Sequence, residues 1–149
     1  MKIASVAALA AAVLLGACAQ GGNSHYGTQK VVYQLNQPGG DKDQAYMQAL
    51  TYAQNHVNAV GKENIDLEFV LFADGINLLK SAKDNVNLQA KVINLKEQKV
   101  KFLVCNNTLK ARKLDPDKDL FDVDKADIVP AGVAEVARLE TMGYAYIRP

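Results

Sequence analysis

The chain has 149 residues, 49% of them hydrophobic, with 17 Lys+Arg against 16 Asp+Glu. That composition suits a single domain with a real core and excludes disorder along its whole length. The only charge before residue 30 is Lys2, so without the N-terminus the two signs balance and nucleic acid is excluded as a partner on electrostatic grounds.

Residues 1–19 read as a signal peptide. Met1-Lys2 supplies the positive start, and Ile3 to Ala17 is an apolar run too short and too Ala-rich for a membrane span. Two processing readings overlap. Leu15-Gly16-Ala17-Cys18 resembles the box at which bacterial lipoproteins are cut and acylated, whereas Ala17-Cys18-Ala19 is a small-residue site that would leave a soluble product beginning at Gln20. The first reading accounts for a cysteine that is otherwise unneeded, and gives a chain from Cys18 to Pro149 with lipid on Cys18. Under either, the domain is expected on the periplasmic side of the envelope, lipid-anchored or soluble, touching the membrane only through a lipid. Cys18 is then acylated or removed, which leaves Cys105 as the one thiol. With no C-x-x-C present, an intramolecular dithiol mechanism is excluded.

Residues 20–29 are polar and Gly-rich, a flexible tether in which His25 reads as a linker residue rather than a metal ligand. Lys30 to Asn36, rich in β-branched and aromatic residues, is the first expected strand, closed by Gln37-Pro38-Gly39-Gly40. Asp41 or Asp43 can cap the following helix, which carries Ala45, Ala49, Tyr52, Ala53, His56, Val57 and Val60 on one face and stops at Gly61. The Pro38-Gly39-Gly40 turn stands where α/β folds place ligand loops, though it has neither G-x-G-x-x-G nor G-K-[ST]. His56 reads as a packed border residue, not a base.

Ile65 to Ala73 contains the near-continuous apolar run of a strand covered on both faces. Asp74-Gly75 turns the chain, a short helix follows around Ile76, Leu79 and Lys80, and after Asp84-Asn85 a second helix aligns Leu88, Val92 and Leu95. Val100 to Cys105 is the third strand. Asn106 to Lys113 is a short helix capped by Asn106 or Asn107 and ending before Asp115-Pro116. The spaced aspartates from Asp115 to Asp127 invite a calcium reading, but they lack the EF-hand glycine and terminal glutamate and are taken as a solvated, irregular loop. Asp127 to Val129 is a short strand, Pro130 opens a helix that runs to Gly143, and Tyr144 to Ile147 is the last strand.

Strands alternating with helical patterns five times argue a single α/β domain: a mainly parallel five-stranded sheet with helices on both faces. Ligands of such sheets bind outside the carboxyl ends of the strands, and Cys105, the Pro38-Gly39-Gly40 turn and Asp74-Gly75 are all expected on that edge. Cys105, at the end of a strand and the start of a helix, has two readings. It is either a thiolate favoured by the first N–H groups of the helix or a small buried hydrophobe. Lys110, Arg112 and Lys113 just beyond it form a basic cluster that suits a small anion or a solvated face.

Four segments together carry a resemblance: Lys30 to Asn36, Val70 to Leu79, the strand-Cys element through Cys105-Asn106-Asn107-Thr108-Leu109, and Val129 to Glu135 with Gly143 to Ile147. In order and spacing they resemble the DsrE/DsrF-like proteins of sulfur metabolism, from about residue 30 to the end. The resemblance implies a flavodoxin-like domain over residues 30–149 that assembles as a homo-oligomer, a trimer or hexamer, and carries sulfur as a persulfide on the matching cysteine, Cys105. Asn106, Asn107 and Thr108 would stabilise the negative sulfur. Lys110 and Arg112 would hold an anionic donor such as thiosulfate or polysulfide. A partner thiol protein would be the alternative source or acceptor, and no metal or cofactor is needed. The competing expectation is a non-catalytic binding or structural oligomer with an inert Cys105, in which Gly39, Gly40, Asp74 and Gly75 line a pocket or subunit contact.

Overall fold

The computed structural model describes residues 25–149; the expected signal peptide, Cys18 and the start of the expected tether lie outside the described residues. The sheet consists of β1 (Gln29–Leu35), β2 (Ile65–Leu71), β3 (Lys101–Cys105), β4 (Ile128–Val129) and β5 (Ala145–Ile147). All neighbours are parallel, in the order β4-β3-β2-β1-β5. Six helices connect them: α1 (Gln44–Val60), α2 (Asn77–Ser81), α3 (Val86–Glu97), α4 (Asn106–Arg112), α5 (Pro116–Asp119) and α6 (Gly132–Thr141).

Strand order decides which face each helix takes. From β1 to β4 the chain steps across the sheet in one direction, so right-handed crossovers keep α1 to α5 on one face. The return from β4 to β5 runs the other way and puts α6 on the opposite face. The main core lies under the first group: Tyr33, Leu35, Phe69, Leu71, Phe102 and Val104 meet Leu50, Ala53, Val57, Leu88, Val92 and Leu95. Phe69 and Phe102 stack at 4.9 Å, and Tyr33 meets Phe69 edge-on at 5.2 Å. A smaller core under α6 joins Val32, Val70 and Leu103 to Val136, Leu139 and Tyr144. The fold class is as expected, with helices on both faces but unequally shared. β3 and β4 are adjacent, yet the helices after them lie on opposite faces, which makes the gap between their carboxyl ends the switch point where such sheets open a crevice.

Several local expectations are corrected. In α1 the buried stripe is Tyr46, Ala49, Leu50, Ala53, Val57 and Val60, while Tyr52 is 45% exposed and meets Gln48 on the outer side at 2.5 Å. The helical period was legible, but its phase was displaced by Tyr52. Neither Asp41 nor Asp43 caps α1 through its side chain. Asp43 has left-handed backbone, and its carboxylate accepts from Ser81 Oγ at 3.0 Å and from Asn85 Nδ2 at 3.4 Å. Strand β2 stops at Leu71, and Ala73, at φ 47, turns the chain instead of extending it. The aspartate-rich stretch is not wholly irregular. Asp115 caps α5 by accepting from the Asp117 N–H at 3.1 Å, and Asp124 with Asp127 forms a capping box on a 3-10 turn, Lys125–Asp127. Pro130 lies outside α6, which starts at Gly132.

Candidate functional site

Cys105 is the last residue of β3, pairs across to Val129 at the end of β4, and is 5% exposed. It therefore sits at the switch point. Burial pushes its thiol up, but the Thr108 hydroxyl and the backbone N–H groups of Gly132, Thr108 and Asn107 together outweigh this, and the thiol is held below its ordinary range. These donors come from two places: the first turn of α4, directly after the cysteine, and the first residue of α6 on the opposite face.

Each donor has a local cause. The Thr108 hydroxyl accepts from the Ala73 N–H at 3.1 Å, at the left-handed turn that follows the extended Phe72. At Gly132 an added Cβ would lie 2.8 Å from Phe72 Cδ1 and 2.9 Å from Phe72 Cβ. Only glycine lets the start of α6 settle against Phe72, and hence lets its N–H act on the sulfur. A side chain at Gly75 would collide with the Leu35 carbonyl, so this glycine serves the close approach of the β2–α2 turn to the end of β1.

Around this centre the other expected residues divide. Asn107 and Thr108 come to Cys105; Asn106 opens α4 beside it but is not among the groups acting on the sulfur. Arg112 Nη2 donates to Asp74 Oδ1 at 2.7 Å, so two residues read separately as ligand contacts hold each other. Lys110 is exposed on the same helix. The Asp74 carbonyl accepts from the Tyr46 hydroxyl at 2.5 Å, and the Gln37 carbonyl accepts from it at 3.3 Å. Burial, with Asp74 and Asp43 nearby, pushes Tyr46 up to about 12 and keeps it a donor. Gly39 and Gly40 instead line an open cleft of about 590 Å³ with Pro38, Asp43, Tyr46 and Lys80, in which Cys105 takes no part. Gly132 and Ala73 are the two site residues that sequence reasoning missed. A glycine just after a strand and a proline was a usable signal for the first; nothing in an alanine announces a left-handed turn.

A parallel α/β sheet with one thiol at its switch point, braced from both faces, defines the class of protein. The chain belongs to the DsrE/DsrF-like family, whose model matches residues 29–149. Among solved structures it is similar to a protein of unknown function, MTH1491 from Methanobacterium thermoautotrophicum. That likeness has a TM-score of 0.68 and 31% identity and covers 81% of this chain and 99% of that one. It also shares the fold of the ychN protein from E. coli, with a TM-score of 0.60, 18% identity and coverage of 81% and 98%. No curated protein matches the chain.

Proposed function

We propose that this protein carries sulfane sulfur as a persulfide on Cys105. Family membership suggests sulfur relay in general. The observation that carries the finer reading is the thiol itself, held below its ordinary range although buried. The Cys105 thiolate attacks the terminal sulfur of a polysulfide. A new S–S bond forms to Cys105, the bond to the rest of the polysulfide breaks, and the shortened polysulfide leaves with the electron pair. No oxidant or metal enters. Lys110 and Arg112 supply positive charge near the sulfur, Arg112 by exchanging the Asp74 carboxylate for the incoming anion. In this reading the domain works on the periplasmic side of the envelope, held by lipid on Cys18 or released as a soluble form, and as a trimer or hexamer.

The test is intact mass after incubation with polysulfide. Wild type is expected to gain the mass of one sulfur atom and Cys105→Ser none; equal gain by both would remove Cys105 from the chemistry. The second reading, an inert structural cysteine in a binding oligomer, is favoured by the 5% exposure of Cys105. It requires that iodoacetamide fail to label the folded protein.

A further inference from the structure

The cleft of about 590 Å³ that Cys105 does not line opens just beyond the carboxyl end of β1. Parallel sheets bind ligands on that edge, and small-molecule sites usually measure about 300–1,000 Å³. One wall is the backbone of Pro38-Gly39-Gly40, and the other is a face of α2 and the turn after it, carrying Asn77, Lys80, Ser81 and Asp84. These positions follow helical spacing. The Asp84 and Asn85 N–H groups extend the turn by donating to the Ser81 carbonyl at 3.1 and 2.9 Å. The backbone wall is held in shape. An added Cβ at Gly39 would lie 2.5 Å from Tyr46 Cε2, so only glycine lets the wall rest on that ring. Gly40, at φ 72 and ψ −161, has backbone that is essentially glycine's alone, and Lys42 and Asp43 are both left-handed, at φ 49 and 59. Such strain persists only where contacts fix it, and the Asp43 carboxylate fastens this wall to the other through Ser81 and Asn85. The cleft is therefore preformed.

Asp43 and Ser81 are committed to each other. Asn77, Lys80 and Asp84 are not: among the described residues their side chains make no hydrogen bond or ion pair. Lys80 and Asp84 stand four residues apart, a spacing at which opposite charges on a helix meet, yet they leave each other free. Asp43 and Asp84 against Lys80 give the cleft a surplus of negative charge, which turns away simple anions such as polysulfide. A lone cation would leave the Lys80 ammonium unused. We propose that this cleft binds a free α-amino acid, whose carboxylate meets Lys80 and whose ammonium meets Asp84. An α-amino acid carries both charges on one carbon, and side chains one helical turn apart have Cβ atoms about 5–6 Å from each other, so one ligand reaches both. Asn77, with an amide that both donates and accepts, stands one turn before Lys80 and serves the remaining lone pairs and protons. The ligand's own side chain lies along the Pro38-Gly39-Gly40 wall. No covalent step is involved, and the site is independent of Cys105.

The test is titration of the nitrogen-15-labelled full chain with L-alanine, L-glutamine and L-leucine at millimolar concentration, following the backbone amide resonances. The amides of Gly39, Gly40, Lys80 and Asp84 should shift in a saturable way with at least one of the three. No saturable shift there with any of them overturns the proposal. The amino acid that binds is then compared with its N-acetyl derivative, which lacks the ammonium, and its amide, which lacks the carboxylate. Each should bind about fivefold more weakly, the loss expected for one ion pair at a partly exposed site. Equal affinity for all three forms overturns the proposal. Lys80→Gln should weaken the amino acid about fivefold without weakening its amide, and Asp84→Asn should weaken it without weakening the N-acetyl form. Both side chains are exposed and unpaired, so neither variant is expected to unfold, and the rest of the amide spectrum checks this. Unchanged affinity in both variants overturns the proposal. Cys105→Ser should bind as wild type does; loss of binding in it would place the ligand at the sulfur and overturn the proposal.

Discussion

His56 shows how much of a residue's role depends on what the fold brings to it. Read from the sequence it belongs to the border of α1 and has no partner for base chemistry. The structure gives it two neutral partners: the Tyr33 hydroxyl lies 3.1 Å from Nδ1, and Gln29 Oε1 lies 2.6 Å from Nε2. Gln29 Nε2 donates to the Tyr26 carbonyl at 3.3 Å, so Oε1 is the acceptor. Nε2 therefore carries the proton, and Nδ1 accepts from Tyr33. Burial holds the imidazole below its ordinary value of 6.5. The unfolded chain then binds more protons than the native one just below that value, and stability falls with pH from 6.5 down through the native value. The urea midpoint of wild type is expected to drop across this window by more than that of His56→Gln. Equal drops would assign the pH dependence to other groups.

At the scale of elements, caps were read well where their partners are local and poorly where they are not. Asp84-Asn85 was recognised as the start of α3, and Asn85 Oδ1 accepts from the Asn87 N–H at 3.1 Å and the Leu88 N–H at 3.3 Å. Asn85→Ala is expected to cost about 1 kcal/mol in urea unfolding. A cost near zero would mean that solvent replaces the cap and that the 3.4 Å contact to Asp43 adds nothing. The start of α6 was misread because proline fits a first helical turn on local grounds. Ala131 stays extended at φ −148, ψ 120, and so carries the chain from β4 across to Phe72 before the helix begins. That requirement is tertiary, and no local preference encodes it.

For the whole molecule the unequal faces of the sheet have a consequence for the site. Leu50, fully buried, and Leu139, 1% exposed, belong to the two separate cores. Either Leu→Ala substitution is expected to cost about 2–5 kcal/mol. Only Leu139→Ala loosens α6, whose first residue donates to the Cys105 sulfur. The iodoacetamide labelling profile of Cys105 is therefore expected to move to higher pH in Leu139→Ala and to stay in place in Leu50→Ala. A shift of equal size in both would mean that the site senses global stability and not the seat of α6.

The sequence by itself determined the kinds of element, their order, the parallel α/β class and the strand-end position of Cys105. Those properties follow from short-range periodicity, turn residues and a single chain-order rule for crossovers. The tertiary structure alone decided which remote groups complete the site around Asn107 and Thr108. The Gly132 N–H at the start of α6 acts on the sulfur and the Ala73 N–H holds the Thr108 hydroxyl; both are backbone N–H groups, which every non-proline residue possesses and no residue type advertises. It also paired Arg112 with Asp74 and moved Gly39 and Gly40 into a different cleft, because charge partners and pocket neighbours are set by how strands stack. The cysteine was legible from its place at the end of a strand; the groups that hold its thiol below the ordinary range became visible only when both faces of the sheet were assembled around it.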